Sequence, residues 1–342
     1  MKILLTADPI IPVPPAGYGG IERIVDALAR HYRAAGHTVA LLAHPDSTTP
    51  VDRMFTWPVV AISGLGAAWK NSRALQRAVR EFAPDVVHSF SRLAYLLPVL
   101  PTRQPVVMSY QRHTGGRQLA LAARLGGRTL HFTGCSEFIC RMGRPQGGRW
   151  TAVPNFVELD RLPYVARVPA DAPLVFLSRV DDIKGPDLAI AIARAAGRRL
   201  QIAGNHAASG SQRDFFEQKI RPWFGREGIE WIGEVGDEAK ARLLGGAAAM
   251  LVPLQWDEPF GIVFAEALAC GTPVITCARG ALPEIVEPGR TGWFITGEAD
   301  GRDAVQNLAQ LDRAACRRKA EESFSLQVCA PQYLAVYRSL LS

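Results

Sequence analysis

Residues 253–283, PLQWDEPFGIVFAEALACGTPVITCARGALP, decide the reading of this 342-residue chain. An acidic loop, Trp256-Asp257-Glu258-Pro259, leads into an apolar helical segment over 260–269. A Cys-Gly-Thr-Pro break then precedes a short strand, Val274-Ile275-Thr276. Glu258 and Glu266 stand eight residues apart, which on a helix is about 12 Å. That is close to the reach from a ribose across a diphosphate to a third group. The helix start between them offers free backbone N–H groups and a positive dipole end to an anion. Carboxylate, anion socket, carboxylate suits a sugar nucleotide, although the pair alone also fits a capped helix with two solvated acids.

Other segments bear on that choice. Ser178-Arg179-Val180-Asp181-Asp182-Ile183-Lys184-Gly185 follows an apolar strand, and two cations at a strand end can neutralise a departing diphosphate. Gly17-Tyr18-Gly19-Gly20 lies between the first strand and the first helix, where absent side chains let a phosphate approach the backbone. Its spacing is not that of a dinucleotide fingerprint, and no ribose-binding acid follows the second strand. By itself such a glycine-rich stretch is more often only a turn. His113 follows the strand 106–110; a lone histidine there is commonly a hydrogen-bonded structural residue.

Together these stretches resemble the retaining, two-domain (GT-B) glycosyltransferases of family 4. The resemblance rests on Glu258-x7-Glu266 with its flanking Pro259-Phe260-Gly261 and Ala267 to Ile275, and on Arg179-x4-Lys184-Gly185. Val153-Pro154-Asn155-Phe156-Val157-Glu158 matches the family's inter-domain turn, except that Gly and Asp are usual where Phe156 and Glu158 stand. The resemblance implies two Rossmann-like domains facing a cleft, with a nucleotide-sugar, UDP-linked rather than GDP-linked, as donor substrate. It implies catalytic roles for Arg179 and Lys184 on the leaving diphosphate, and for Glu258 and His113 on the donor sugar. It also implies donor contacts from Gly19, Gly20, Asn205, Val235, Phe260, Gly261, Ile262, Val263 and Glu266. The last would accept the ribose hydroxyls. His88, Ser136-Glu137 and His206 are weaker candidates. No cofactor and no metal are expected, since Asp181-Asp182 lacks the Asp-x-Asp pattern of metal-dependent transferases.

The length accommodates two ordinary α/β domains. Strands are expected near 3–6, 39–43, 59–62, 86–88, 106–110 and 131–134, with helices near 21–35, 69–82 and 118–125. Residues 163–173, with three prolines, read as a linker. A second alternating set runs over 174–178, 186–195, 200–203, 212–224, 229–232, 237–244 and 248–253. Further helices are expected near 301–311 and 313–322. Strands separated by helical crossovers imply parallel, doubly wound sheets. The domains expected are 1–163 for the acceptor, 164–325 for the nucleotide-sugar, and a terminal helix, 326–342, which in the family packs back on the first domain.

The charge of +7 is carried mainly by arginine. No aromatic-interleaved basic run or zinc spacing points to nucleic acid, and Arg317-Arg318-Lys319 reads as a solvated helix face. No apolar run reaches the ~20 residues of a membrane span, and the N-terminus reads as a strand rather than a signal peptide, so a cytoplasmic protein is expected. The six cysteines show no ligand or disulfide spacing and read as buried thiols. Composition and compact length suggest a secondary-metabolite acceptor. A lipid or lipopolysaccharide acceptor at a membrane is the rival, its mark being the basic helix at 69–82. A non-catalytic sugar-nucleotide binder and an epimerase of the same architecture remain open; oligomeric state is not readable.

Overall fold

The structure, a computed structural model, describes residues 1–17, 19–61 and 64–342. The chain divides into two compact units, Met1–Asn155 with Leu326–Ser342, and Phe156–Ser325. In chain order the first comprises β1 (Lys2–Thr6), α1 (Gly20–Ala34), β2 (Thr38–Ala43), β3 (Arg53–Thr56), α2 (Leu65–Phe82) and β4 (Val86–Ser89). It continues with α3 (Leu93–Leu96), β5 (Val106–Tyr110), α4 (Arg117–Gly126), β6 (Leu130–Gly134), α5 (Glu137–Gly143) and β7 (Arg149–Ala152). All seven strands are parallel, in the order β3-β2-β1-β4-β5-β6-β7. The central strands are almost wholly buried because helices cover both faces, which is why they read as unbroken apolar runs. On α1, Ile24, Val25, Leu28 and Tyr32 recur at helical spacing and are buried.

The second unit comprises β8 (Leu174–Leu177), α6 (Pro186–Ala195), β9 (Leu200–Ala203), α7 (Ser211–Phe215), β10 (Ile229–Gly233), α8 (Asp237–Gly246) and β11 (Ala249–Val252). It ends with α9 (Ile262–Ala269), β12 (Val274–Thr276), α10 (Leu282–Ile285), β13 (Gly292–Phe294), α11 (Glu298–Gln306) and α12 (Arg313–Ser323). Its six strands are parallel, in the order β10-β9-β8-β11-β12-β13. Helix α7 runs on through a π-helical turn, Phe216–Ile220, and a 3-10 turn, Arg221–Trp223, filling most of the expected 212–224. The final helix, α13 (Leu326–Leu341), belongs to the first unit. Both sheets are the doubly wound parallel kind that the sequence implied.

Four expectations need correction. The strand expected at 59–62 is absent over its described residues, and Ile62 lies outside them. The side-chain amide of Asn71 on α2 instead bonds both the N–H and the C=O of Val59 (3.2 and 3.0 Å), so that backbone needs no strand partner. The edge strand is the half-exposed β3, upstream. The helix expected near 301–311 begins earlier, because the Asp300 carboxylate accepts from the N–H groups of Thr296 and Gly297 (2.6 and 2.8 Å). Residues 156–163 belong to the second unit: Val157 N–H donates to Phe324 C=O (2.8 Å), and Arg317 donates to the carbonyls of Leu162 and Ala269 (both 2.9 Å). Arg317 is thus a tie within that unit rather than part of a solvated face. Arg313 does the same for Val165, Ala247 and Gly245.

All six cysteines are buried, and none is in a disulfide. No helix among the described residues is long and apolar enough to cross a membrane.

Candidate active site

In an open parallel sheet, ligands bind beyond the carboxyl ends of the strands where the strand order reverses. In the second sheet that point lies between β8 and β11. The loop after β8 carries Arg179 and Lys184; the loop after β11 carries Trp256 and Glu258 and leads into α9. Gln255 N–H donates to Ile183 C=O (2.8 Å) and joins the two loops.

Lys184 Nζ is bonded to Glu258 Oε2, with the two side chains 13% and 12% exposed. The Trp256 indole N–H donates to the same oxygen (2.9 Å), while the Lys184 ammonium lies 4.7 Å from the centre of the Trp256 ring. Ion pair and cation–π contact thus hold one lysine in one place. An ammonium has three N–H donors and a carboxylate two oxygens. Glu258 engages one of the donors, and no hydrogen bond to Glu258 Oε1 occurs among the described residues. The Glu258 backbone is fixed by Gly280: a Cβ there would lie 2.3 Å from Glu258 C=O, and φ is 57°. Ala281 N–H donates to that carbonyl at 2.9 Å.

Arg179 bonds the buried carboxylate of Asp181, yet its own side chain is 49% exposed. At the start of α9, Gly261 is left-handed (φ 82°), and Gly261, Ile262 and Val263 are half-buried. Their N–H groups belong to the helix end that has no intrahelical acceptors. Phe260 is buried, edge-on to Phe324 at 5.5 Å, so it contributes backbone and packing only. Glu266 Oε1 is bonded to Lys240 Nζ from α8, and Lys240 also lies 3.5 Å from Asp237. Asn205 holds the Arg179 loop through its carbonyl, which accepts from Val180 N–H (2.8 Å). Val235 is half-buried after β10. His206 stacks on Phe216 (3.9 Å between ring centres).

In the first sheet the order reverses between β1 and β4. After β1, Gly19 (φ 156°) packs so closely on Pro15 that a Cβ would lie 2.7 Å away, and Gly20 opens α1. Tyr18 lies outside the described residues. Glu22 is buried; desolvation, with the charge of Asp8 adding, raises its pKa. Beyond β4 and β5 is a cavity of about 190 Å³ whose lining includes Ser91, Arg92, Gln111, Arg112 and His113. His113 is exposed, its ring edge-on to Phe138 at 5.8 Å. His88 instead is fully buried and bonded to Tyr337 Oη (2.5 Å) and Ser109 Oγ (2.6 Å); burial lowers its pKa to about 3. It is a neutral structural group. Ser136 caps α5 by accepting from Ile139 N–H, and Glu137 pairs with Arg144.

The two halves of the chain match two family models. Residues 18–161 match Glycosyltransferase Family 4, and residues 167–321 match Glycosyl transferases group 1. The chain belongs to the GT-B glycosyltransferases of this group. Over 387 aligned residues it is 26% identical to a glycogen synthase of Mycobacterium tuberculosis, covering 95% of this chain and 92% of that one. The crystal structure of AviGT4, a glycosyltransferase involved in avilamycin A biosynthesis, is similar at 29% identity and a TM-score of 0.75, covering 99% and 98%. HepE of Anabaena, solved in complex with UDP-glucose, shares the fold at 19% identity (TM-score 0.75; 99% and 100% covered).

For a glycosyltransferase of this group, sequence reasoning found the loops and missed several of their partners. Lys240 lies 26 residues before Glu266 with no local pattern to link them. Trp256 was part of the motif, but nothing in its spacing reveals the bond to Glu258. Asp8, Arg92, Gln111 and Arg112 meet only through the order of β1, β4 and β5.

Proposed function

We propose that this glycosyltransferase is a retaining enzyme that moves a hexose from a UDP-sugar to a hydroxyl of a natural-product intermediate. The observation that carries the reading is the convergence of Arg179, Lys184, Glu258 and the start of α9 at the reversal point of the second sheet. Arg179 is half-exposed and Lys184 has N–H donors beyond the one given to Glu258, so both can meet a diphosphate. The first N–H groups of α9 supply further donors. Glu258 Oε1 would accept from the donor sugar, and Glu266 Oε2 from the ribose. Lys240 and Lys184 hold the two carboxylates in place. The role assigned to His113, orienting the donor sugar, belongs to the same proposal.

In this reading the bond from the sugar carbon to the phosphate oxygen breaks while a bond to the acceptor oxygen forms on the same face. The acceptor hydroxyl proton passes to the departing phosphate oxygen. The products are UDP and the glycosylated acceptor. Arg179, Lys184 and the helix amides stabilise the negative charge that grows on the diphosphate, so the mechanism calls on no metal and no cofactor. UDP is preferred over GDP by likeness to HepE, and a natural-product acceptor by likeness to AviGT4.

A thermal-shift screen of UDP, GDP, ADP and their sugar conjugates tests this, because a ligand of the native state raises the melting temperature by mass action. The expected result is a shift with UDP and a larger one with one UDP-sugar. A shift confined to GDP would move the donor class, and no shift at saturating nucleotide would remove the reading.

One observation favours a second reading, a peripheral-membrane transferase. Leu65 and Trp69 at the start of α2 are 94% and 65% exposed, and Lys70 and Arg73 lie beside them. An exposed aromatic among cations suits an anionic bilayer surface. Flotation with phosphatidylglycerol vesicles, for the native protein and for Trp69→Ala, separates the two readings.

A further inference from the structure

Trp256 stands two residues before Glu258 and turns back on it: its indole N–H donates to Glu258 Oε2 (2.9 Å). The Lys184 ammonium is bonded to that same oxygen and lies 4.7 Å from the centre of the Trp256 ring. Each of the three side chains therefore touches the other two. The backbone on either side of the tryptophan is also held. Gln255 N–H donates to Ile183 C=O (2.8 Å), and Ala281 N–H donates to Glu258 C=O (2.9 Å). The indole is half-buried and lies outside the fully buried core, so core packing does not explain its choice.

The residue type matters. An indole offers the strongest cation–π face of the side chains and, unlike the rings of phenylalanine and tyrosine, an N–H at its edge. Phenylalanine in its place would keep a face for the ammonium and lose the donor. A carboxylate paired only with an ammonium can turn about its last side-chain bond and offer either oxygen, since that torsion is broad. The indole removes this freedom. With ammonium and indole both on Oε2, no hydrogen bond to Oε1 occurs among the described residues, and Oε1 is the oxygen left for a ligand. The same contacts confine Lys184 to one side of the carboxylate, with two of its three N–H groups still to give.

We propose that Trp256 is a positioning residue of the transfer step, acting through Glu258 and Lys184 to present Oε1 to the donor sugar and the ammonium to the diphosphate. This rests on the glycosyltransferase reading and adds to it a residue to which that reading gave no role. Preorganised groups need no reorganisation as charge develops, and a carboxylate turned out of place forfeits that gain. The loss falls on turnover rather than on the grip of the nucleotide, which Glu266 and the α9 amides share in the same reading.

Release of UDP from UDP-glucose, UDP-galactose and UDP-N-acetylglucosamine, with water as the acceptor, tests this on the full chain, beside UDP binding by calorimetry. With the fastest of the three, Trp256→Phe should lower kcat roughly 10- to 100-fold, the worth of one hydrogen bond to a charged group, and leave the Kd for UDP within about twofold. In a Glu258→Ala background the same change should cost less than about twofold, because the lost N–H acts through the carboxylate. Should Trp256→Phe not fold, Trp256→Met, which fills the space without a donor, should give the same pattern. A folded variant with native turnover would overturn the proposal. So would an equal loss of UDP affinity, or a full loss of turnover that persists without Glu258. UDP binding with no release from any of the three sugar nucleotides would overturn the role of Trp256 and leave nucleotide binding standing. Failure to bind UDP or any of the three would remove the transferase reading beneath it.

Discussion

Lys184 and Glu258, 74 residues apart in the chain, form a largely buried ion pair that the Trp256 indole closes on the carboxylate side. Removing one member of such a pair leaves the other charge uncompensated. Lys184→Ala is therefore expected to lower stability by ~1.5–3 kcal/mol and kcat by about 10²–10³-fold. Urea unfolding and steady-state release of UDP measure the two. A variant that turned over normally would detach the pair from the chemistry.

The two carboxylates should differ in what they affect. Glu266→Gln is expected to weaken UDP binding by roughly tenfold, the worth of a ribose hydrogen bond to a charged group. Glu258→Gln should leave UDP affinity nearly unchanged and lower turnover of the UDP-sugar. Calorimetry with UDP alone, set against kinetics, distinguishes them; equal effects on UDP would refute the division of roles.

Gly280→Ala places a methyl group 2.3 Å from Glu258 C=O at a left-handed backbone position. The expected cost is roughly 1–3 kcal/mol, with a loss of turnover like that of Glu258→Gln because the loop carrying the carboxylate must shift. Unaltered kinetics with unaltered stability would show that the loop accommodates the methyl freely.

Burial lowers His88 to about 3 and His131 to about 4, below the ordinary 6.5. Both are neutral in the native chain and take up protons more readily once unfolded. Their contribution is thus fully present above pH 6.5 and is lost as pH falls from 6.5 toward 4 and then 3. Each should add about 1.4 kcal/mol per pH unit to the slope of unfolding free energy in that window. Urea titrations from pH 7 to 4.5 should show stability falling, and His88→Gln should flatten the curve.

Turnover should be indifferent to EDTA. Asp181, the first acid of Asp181-Asp182, is engaged by Arg179, and the proposed route gives the diphosphate to Arg179, Lys184 and the α9 amides. Activity that EDTA abolishes and a divalent ion restores would contradict that assignment.

The sequence made the helices and central strands legible because burial on both faces leaves near-continuous apolar runs. Edge strands were harder. β3 is half-exposed and polar at both ends, β7 is largely half-buried, and β13 has three residues, so none has a strong pattern. The apolar run from 59 looked more strand-like than β3, but Asn71 takes up its backbone. Within the site, the motif loops were readable through local spacing. Lys240 was not, since what makes it notable is a partner set by sheet order rather than by sequence distance.

The place of α13 bears on how the chain is completed during synthesis. Tyr333 and Tyr337 are buried on the first unit, and Tyr337 bonds His88 and lies within reach of Tyr32. A ribosome has emitted Phe156–Ser325, a contiguous unit, before it reaches those tyrosines. The first unit is therefore completed only after the second has been made: until α13 is synthesised, His88 and Tyr32 lack their closing partners, and chains cut short before Leu326 leave the first unit open to chaperones and proteases.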